Sequence, residues 1–175
     1  MKIFLDTADT DAIEKAYTTG IIDGVTTNPT LIRKSGRDPE EVYQQLIDYG
    51  INDISMEVVG DYNTMFEEGV RLSRKFGKAC TIKVPCTPDG LRVCRELSRD
   101  LVNVNVTLIF SPAQAILAAK SGAKYVSPFV GRVDDNSFVG MDLIEQISDI
   151  YTIQNVHKTE ILSASIRDVK SVSDS

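Results

Sequence analysis

Lys83 lies in Cys80-Thr81-Ile82-Lys83-Val84-Pro85, an apolar, β-rich run ended by proline. Such a run reads as a buried strand, with Pro85 at its end. An ammonium withdrawn from water favours its neutral form, and a neutral amine attacks carbonyl carbon. Snorkelling or a buried ion pair is the structural alternative for Lys83. Other residues with chemical capacity recur near the ends of strand-like runs: Asp6, Asn28, Glu57, Asn105, Thr107, Ser127 and Ser165. An amine beside two carboxylates suits Schiff-base formation with a ketone. The iminium accepts electrons while a neighbouring carbon–carbon bond breaks or forms, and a carboxylate moves the protons. Asn and Thr side chains can hold substrate hydroxyls. Arg132 and Arg167 follow the last two runs, and with Ser165 they suit a phosphate group, which guanidinium binds in a fork. Surface salt bridging is the plain alternative for each arginine.

The elements that must position these residues are short strands alternating with amphipathic helices. Strands are expected at Lys2–Asp6, Gly24–Thr27, Asp53–Val58, Cys80–Val84, Asn103–Leu108, Lys124–Phe129 and Glu160–Ala164. Val42, Leu46 and Tyr49 carry a helical period, as do Leu143, Ile147, Ile150 and Tyr151. Asp38-Pro39-Glu40-Glu41 and Ser111-Pro112 are helix starts, with a capping side chain followed by proline at the first position.

Strand alternation then separates two faces. One is apolar. The other carries Asp6, Thr26 with Asn28, Ser55 with Glu57, Thr81 with Lys83, Asn103 with Asn105 and Thr107, Ser127 with Phe129, and Ser163 with Ser165. An open doubly wound sheet buries both faces in apolar contacts and has no use for such a set. A (β/α)8 TIM barrel does, because its active site lies at the C-terminal ends of its strands. Asn28 as a turn former and Ser127 as a packing residue are the structural alternatives taken singly.

Composition narrows the remaining classes. The 175 residues are 42% hydrophobic and 25% charged, with a formal net charge of −6. That balance fits a single globular domain over residues 1–175 and argues against nucleic acid or an anionic membrane as partner. No apolar run approaches the ~20 residues of a membrane span. Strand-like sequence begins at once, with no signal-peptide pattern. Three cysteines without metal spacing suggest reduced thiols and a cytoplasmic location. No Gly-x-Gly-x-x-Gly or Walker-type loop follows any strand. His157, the only histidine, is expected in a solvated loop, and Cys86 has no histidine partner.

Seven segments, in order, resemble the transaldolase family, particularly its small-subunit branch. They are Leu5-Asp6-Thr7, Thr26-Thr27-Asn28-Pro29, Met56-Glu57-Val58, Ile82-Lys83-Val84-Pro85, Asn105-Val106-Thr107-Leu108, Ser127-Pro128-Phe129-Val130-Gly131-Arg132 and Ala164-Ser165-Ile166-Arg167. The resemblance implies a class I aldolase-type barrel and a dihydroxyacetone transfer between ketose and aldose phosphates. Lys83 would form the Schiff base. Asp6 would be the acid/base at the bond that breaks. Glu57, through a water held with Thr107, would shuttle protons. Asn28, Asn105 and Ser127 would bind the dihydroxyacetone unit, and Arg132, Ser165 and Arg167 the phosphate. No metal or organic cofactor is implied.

The related fructose-6-phosphate aldolases typically carry glutamine in place of Glu57 and tyrosine in place of Phe129, so the transferase is expected and the aldolase is the alternative. Family members continue into an eighth strand and C-terminal helices. The expectation here is a barrel truncated after its seventh strand, homo-oligomeric once its C-terminus is completed. An inactive sugar-phosphate-binding fragment is the third alternative.

Overall fold

The computed structural model describes all residues from Met1 to Ser175. Its core is one parallel sheet of seven strands: β1 (Phe4–Asp6), β2 (Gly24–Thr26), β3 (Ile54–Glu57), β4 (Cys80–Pro85), β5 (Asn103–Ile109), β6 (Tyr125–Pro128) and β7 (Glu160–Ile161). Neighbours in the sheet are neighbours in sequence. The helices are α1 (Thr10–Tyr17), α2 (Pro29–Ser35), α3 (Pro39–Asp48), α4 (Tyr62–Phe76), α5 (Pro88–Arg99), α6 (Pro112–Lys120), α7 (Val130–Asp134), α8 (Gly140–Ile153) and α9 (Val169–Asp174).

Four of these helices begin in one way. Asn28, Asp38, Thr87 and Ser111 each accept a backbone N–H with the side chain, and each is followed by proline. The capping oxygen satisfies a donor that has no partner within the helix, and proline has no donor to satisfy. Asn28-Pro29 carries this signature, yet α2 was not among the expected helices. The short α7 was not expected either.

The sheet is curled. In a flat sheet β1 and β6 would lie ~24 Å apart, five spacings of about 4.8 Å. Instead the Phe4 and Tyr125 rings pack edge to face at 5.6 Å. Lys2 Nζ, two residues before β1, reaches Glu160 Oε1 of β7 at 2.7 Å, linking the two ends of the sheet. The apolar side of the curl faces the helices. Val25, Ile54, Met56, Ile82, Val84, Val104, Val106 and Val126 are fully buried there, against Ile13, Leu46, Met65, Leu97 and Ile147.

The N-terminal end of the barrel is closed by aromatic rings and one carboxylate. Asp53 accepts from Thr81 Oγ1 at 2.7 Å, Lys124 Nζ at 2.7 Å and Tyr125 OH at 2.9 Å. Burial, and then the neighbouring Asp53 charge, push the Tyr125 phenol well above its ordinary range, so it stays a donor. Gly24 makes room for this floor: a Cβ there would lie 2.3 Å from Phe4 Cε1 and 2.6 Å from the Asp53 carbonyl.

Two strands depart from simple alternation. Val106 pairs with Val126, but Ile109 pairs with Pro128, so β5 carries a bulge. Leu108 sits in it with φ 59° and is 38% exposed, while Ile109 takes the buried place expected for Leu108. In β7, Glu160 pairs with Tyr125, and beyond the strand Ala164 pairs with Phe129. Partners in a parallel ladder share a face, so Glu160 and Ala164 take the side expected for Ser163 and Ser165. Ser165 then leaves the alternation with φ 58°.

Gly24→Ala is expected to cost about 1–3 kcal/mol through overpacking against Phe4 and the Asp53 backbone. Urea denaturation checks this, and an unchanged midpoint would show that the floor is not tightly packed.

Candidate active site

Strand register sets the first relation. Glu57 pairs with Lys83, and Lys83 pairs with Asn105, so the three stand side by side on β3, β4 and β5. Lys83 is 6% exposed. Its Nζ lies 3.0 Å from Glu57 Oε2 and donates to the Thr27 carbonyl at 3.0 Å. The nitrogen is thus held by a carboxylate and a backbone carbonyl. The same contact puts a proton acceptor in direct reach of the nitrogen. Lys83 therefore does form a buried ion pair, and the pair is compatible with chemistry.

A chain of buried hydrogen bonds runs beside this pair. Ser127 Oγ donates to Asn105 Oδ1 at 2.9 Å, and Asn105 Nδ2 donates to Ser55 Oγ at 3.2 Å. All three residues are buried. Thr107 Oγ1, on the same strand as Asn105, is buried with no hydrogen-bond partner. An unpaired buried hydroxyl costs about 1–3 kcal/mol, a penalty that a bound polar ligand or water removes.

Asp6 is exposed at the C-terminal end of β1, where Thr26 Oγ1 donates to its Oδ1 at 2.8 Å. Asn28 does two things. Its Oδ1 caps α2 by accepting from Leu31 N at 3.0 Å, which leaves the amide N–H groups to donate elsewhere. Phe129 packs edge to face on Phe110, with centroids 5.8 Å apart, and brings no hydroxyl.

The two arginines converge beyond β6 and β7. Val130 N and Gly131 N donate to the carbonyls of Ala164 and Ser165, both at 3.0 Å, joining the start of α7 to the segment after β7. A Cβ on Gly131 would meet Ser165 O at 2.4 Å and Arg167 Nε at 2.8 Å, so only glycine allows this approach. Arg132 follows directly and is exposed. Arg167 makes a two-pronged pair with Asp135, at 2.5 and 2.8 Å. That hydrogen-bonded pair holds the Asp135 carboxyl below its ordinary range, with Arg132 adding a smaller attraction. The surface ion pair considered for Arg167 thus exists. A substrate phosphate would have to share or displace Asp135.

Residues outside the expected set complete the site. Thr26 orients Asp6, Ser55 ends the Asn105 chain, and the Thr27 carbonyl holds Lys83. Thr26 and Ser55 were legible as inward positions. A backbone carbonyl leaves no mark in a sequence. His157 is exposed ahead of β7. Burial pushes the Cys80 and Cys94 thiols up to about 12 and also raises that of Cys86, so none offers a ready thiolate.

The family model described as Transaldolase/Fructose-6-phosphate aldolase matches residues 3–175. A "Probable transaldolase" of Nitrosopumilus maritimus is 51% identical over 168 residues, covering 95% of this chain and 75% of that one. A "Probable transaldolase" of Paracoccus denitrificans is 51% identical over 175 residues, covering 99% and 80%. A third, from Clostridium botulinum, is 48% identical over 168 residues, covering 95% and 76%. Among solved structures, a candidate fructose-1,6-biphosphate aldolase of Coccidioides immitis superposes with a TM-score of 0.64 at 13% identity, over 99% of this chain and 68% of that one. This last likeness is one of fold alone, an α/β barrel. With the family model matched over nearly the full length and relatives sharing half their residues, the chain belongs to the transaldolase/fructose-6-phosphate aldolase family.

Proposed function

We propose that this protein is a transaldolase that carries a dihydroxyacetone unit on Lys83 between ketose and aldose phosphates. The reversible reaction would be sedoheptulose 7-phosphate and glyceraldehyde 3-phosphate giving erythrose 4-phosphate and fructose 6-phosphate, a step of the pentose phosphate pathway. The observation that carries this is the 3.0 Å contact of Lys83 Nζ with Glu57 Oε2 on the polar side of the curled sheet. In this reading Glu57 takes the ammonium proton and returns it to the departing hydroxyl, and its contact with Lys83 supports that role.

Asp6, held by Thr26, serves the hydroxyl on the carbon whose bond breaks. Thr107 has a free hydroxyl for the water that works with Glu57. Asn28 offers amide donors, and Asn105 and Ser127 offer a preset polar edge for the three-carbon unit. Arg132, Ser165 and Arg167 receive the phosphate, with Arg167 exchanging Asp135 for the substrate. The protein has no helix long and apolar enough to cross a membrane. A cytoplasmic location and a homo-oligomeric state belong to the same proposal, as does chemistry without metal or organic cofactor.

Release of free dihydroxyacetone, as an aldolase would do, is the second candidate. Phe129 weighs against it, because its ring cannot deliver a proton where a tyrosine could. Glu57, rather than glutamine, points the same way.

Fructose 6-phosphate alone is expected to yield little free dihydroxyacetone, and added erythrose 4-phosphate is expected to drive sedoheptulose 7-phosphate formation. Rapid release of dihydroxyacetone without an acceptor would reassign the protein to the aldolases. A second measurement concerns the phosphate. Arg132→Ala should raise KM for fructose 6-phosphate by about tenfold or more and hardly change the response to free dihydroxyacetone. Asp135→Asn should lower KM for the phosphorylated donor by about two- to fivefold, because it frees Arg167. A rise in KM for Asp135→Asn would mean that Asp135 orients the arginine instead.

A further inference from the structure

Glu57 has a second face. Its side chain keeps 14% exposure while that of Lys83 keeps 8%. Beside it lies a lateral cleft of about 290 Å³ between α2–α3 and α4. Glu57, Val59, Arg33, Glu68 and Tyr43 are among its walls, whereas Lys83, Asp6, Asn105 and Thr107 are not. The cleft therefore reaches the carboxylate without touching the groups assigned to the sugar.

Its carboxylates are already compensated: Glu40 pairs with Arg71 and Lys75, Glu68 with Arg71, and Glu57 with Lys83. Its volume suits several waters at roughly 30 Å³ each.

Schiff-base chemistry, on which this inference rests, needs water at that point. Glu57 takes a proton from the Lys83 ammonium, and the amine nitrogen bonds to the keto carbon. A proton moves from that nitrogen to the oxygen, giving a neutral carbinolamine. Glu57 then returns its proton to the hydroxyl, the carbon–oxygen bond breaks, and the nitrogen lone pair closes the iminium. Ammonium and ketone have become iminium and one water, with no net proton. Hydrolysis reverses these steps and consumes one water. In the proposed reaction both events fall while the sugar and its phosphate occupy the mouth of the barrel.

We propose that the cleft behind Glu57 is the passage by which this water leaves and enters, so that dehydration and hydrolysis do not wait for the mouth to clear. The walls are then specificity elements for water, and Val59 marks the opening, since it is 52% exposed.

Oxygen exchange tests the passage apart from the Schiff base. Fructose 6-phosphate is incubated with the enzyme in ¹⁸O-water. Label entering the keto position, corrected for the spontaneous rate, is compared with the rate of borohydride-trapped Lys83 adduct in the same samples. Val59→Trp and Arg33→Trp each fill the cleft from an exposed position, and Val59→Ala serves as the open control.

Both tryptophan variants should form adduct at near-normal rate while label uptake per adduct falls about fivefold or more, because the released water returns before it exchanges. The alanine variant should match the parent. Cooperative unfolding at the parental Tm shows that a variant is folded, and either tryptophan variant suffices. Parental label uptake per adduct in a folded tryptophan variant would overturn the passage and leave the Schiff base standing. Absence of adduct in the parent would overturn both.

Discussion

A buried ammonium must be compensated, and the arrangement around Lys83 follows from that constraint. Withdrawing a charged amine from water costs several kcal/mol, recovered only with a close partner and further hydrogen bonds. Glu57 and the Thr27 carbonyl supply both. Replacing a buried ion pair by an apolar pair of similar volume is often neutral or stabilising. Stability alone therefore gives little reason for the pair. The proposed role, a nucleophile with its own base in contact, gives a better one.

The pair depends on register. A slip of one residue between β3 and β4 would turn Glu57 or Lys83 to the helix side. The apolar faces of the strands prevent this. Met56 and Val58 flank Glu57, Ile82 and Val84 flank Lys83, and all four are fully buried on the opposite side. The floor adds a second restraint at the other end of the same strands. There Asp53 receives three donors, so its polar groups are satisfied. At the C-terminal end the polar groups keep unused capacity, in the Thr107 hydroxyl and the Asn28 amide. One end of the barrel is thus closed by its own side chains, while the other retains the means to bind.

Much of this was legible in the sequence because strands alternate. The polar, inward side of β3 to β6 followed from Glu57, Lys83, Asn105 and Ser127 standing between apolar neighbours, and that of β1 from Asp6 after Leu5. The β7 segment misled, because its two serines look like inward polar groups, while the ladder places Glu160 and Ala164 on that side. The bulge at Leu108 was hidden for a related reason: leucine carries no sign of a left-handed backbone, as glycine would. Asn28-Pro29 suits a turn as well as a helix start, and the structure uses it to open α2. The ion pair of Arg167 with Asp135 joins segments distant in sequence, and nothing local announces it.

Reductive trapping measures the central relation most directly. The protein is incubated with fructose 6-phosphate, treated with borohydride and mapped by mass spectrometry. The arrangement of Lys83 and Glu57 predicts a stable adduct on Lys83, lost in Lys83→Ala. Turnover that continues while Lys83 stays unmodified would contradict it.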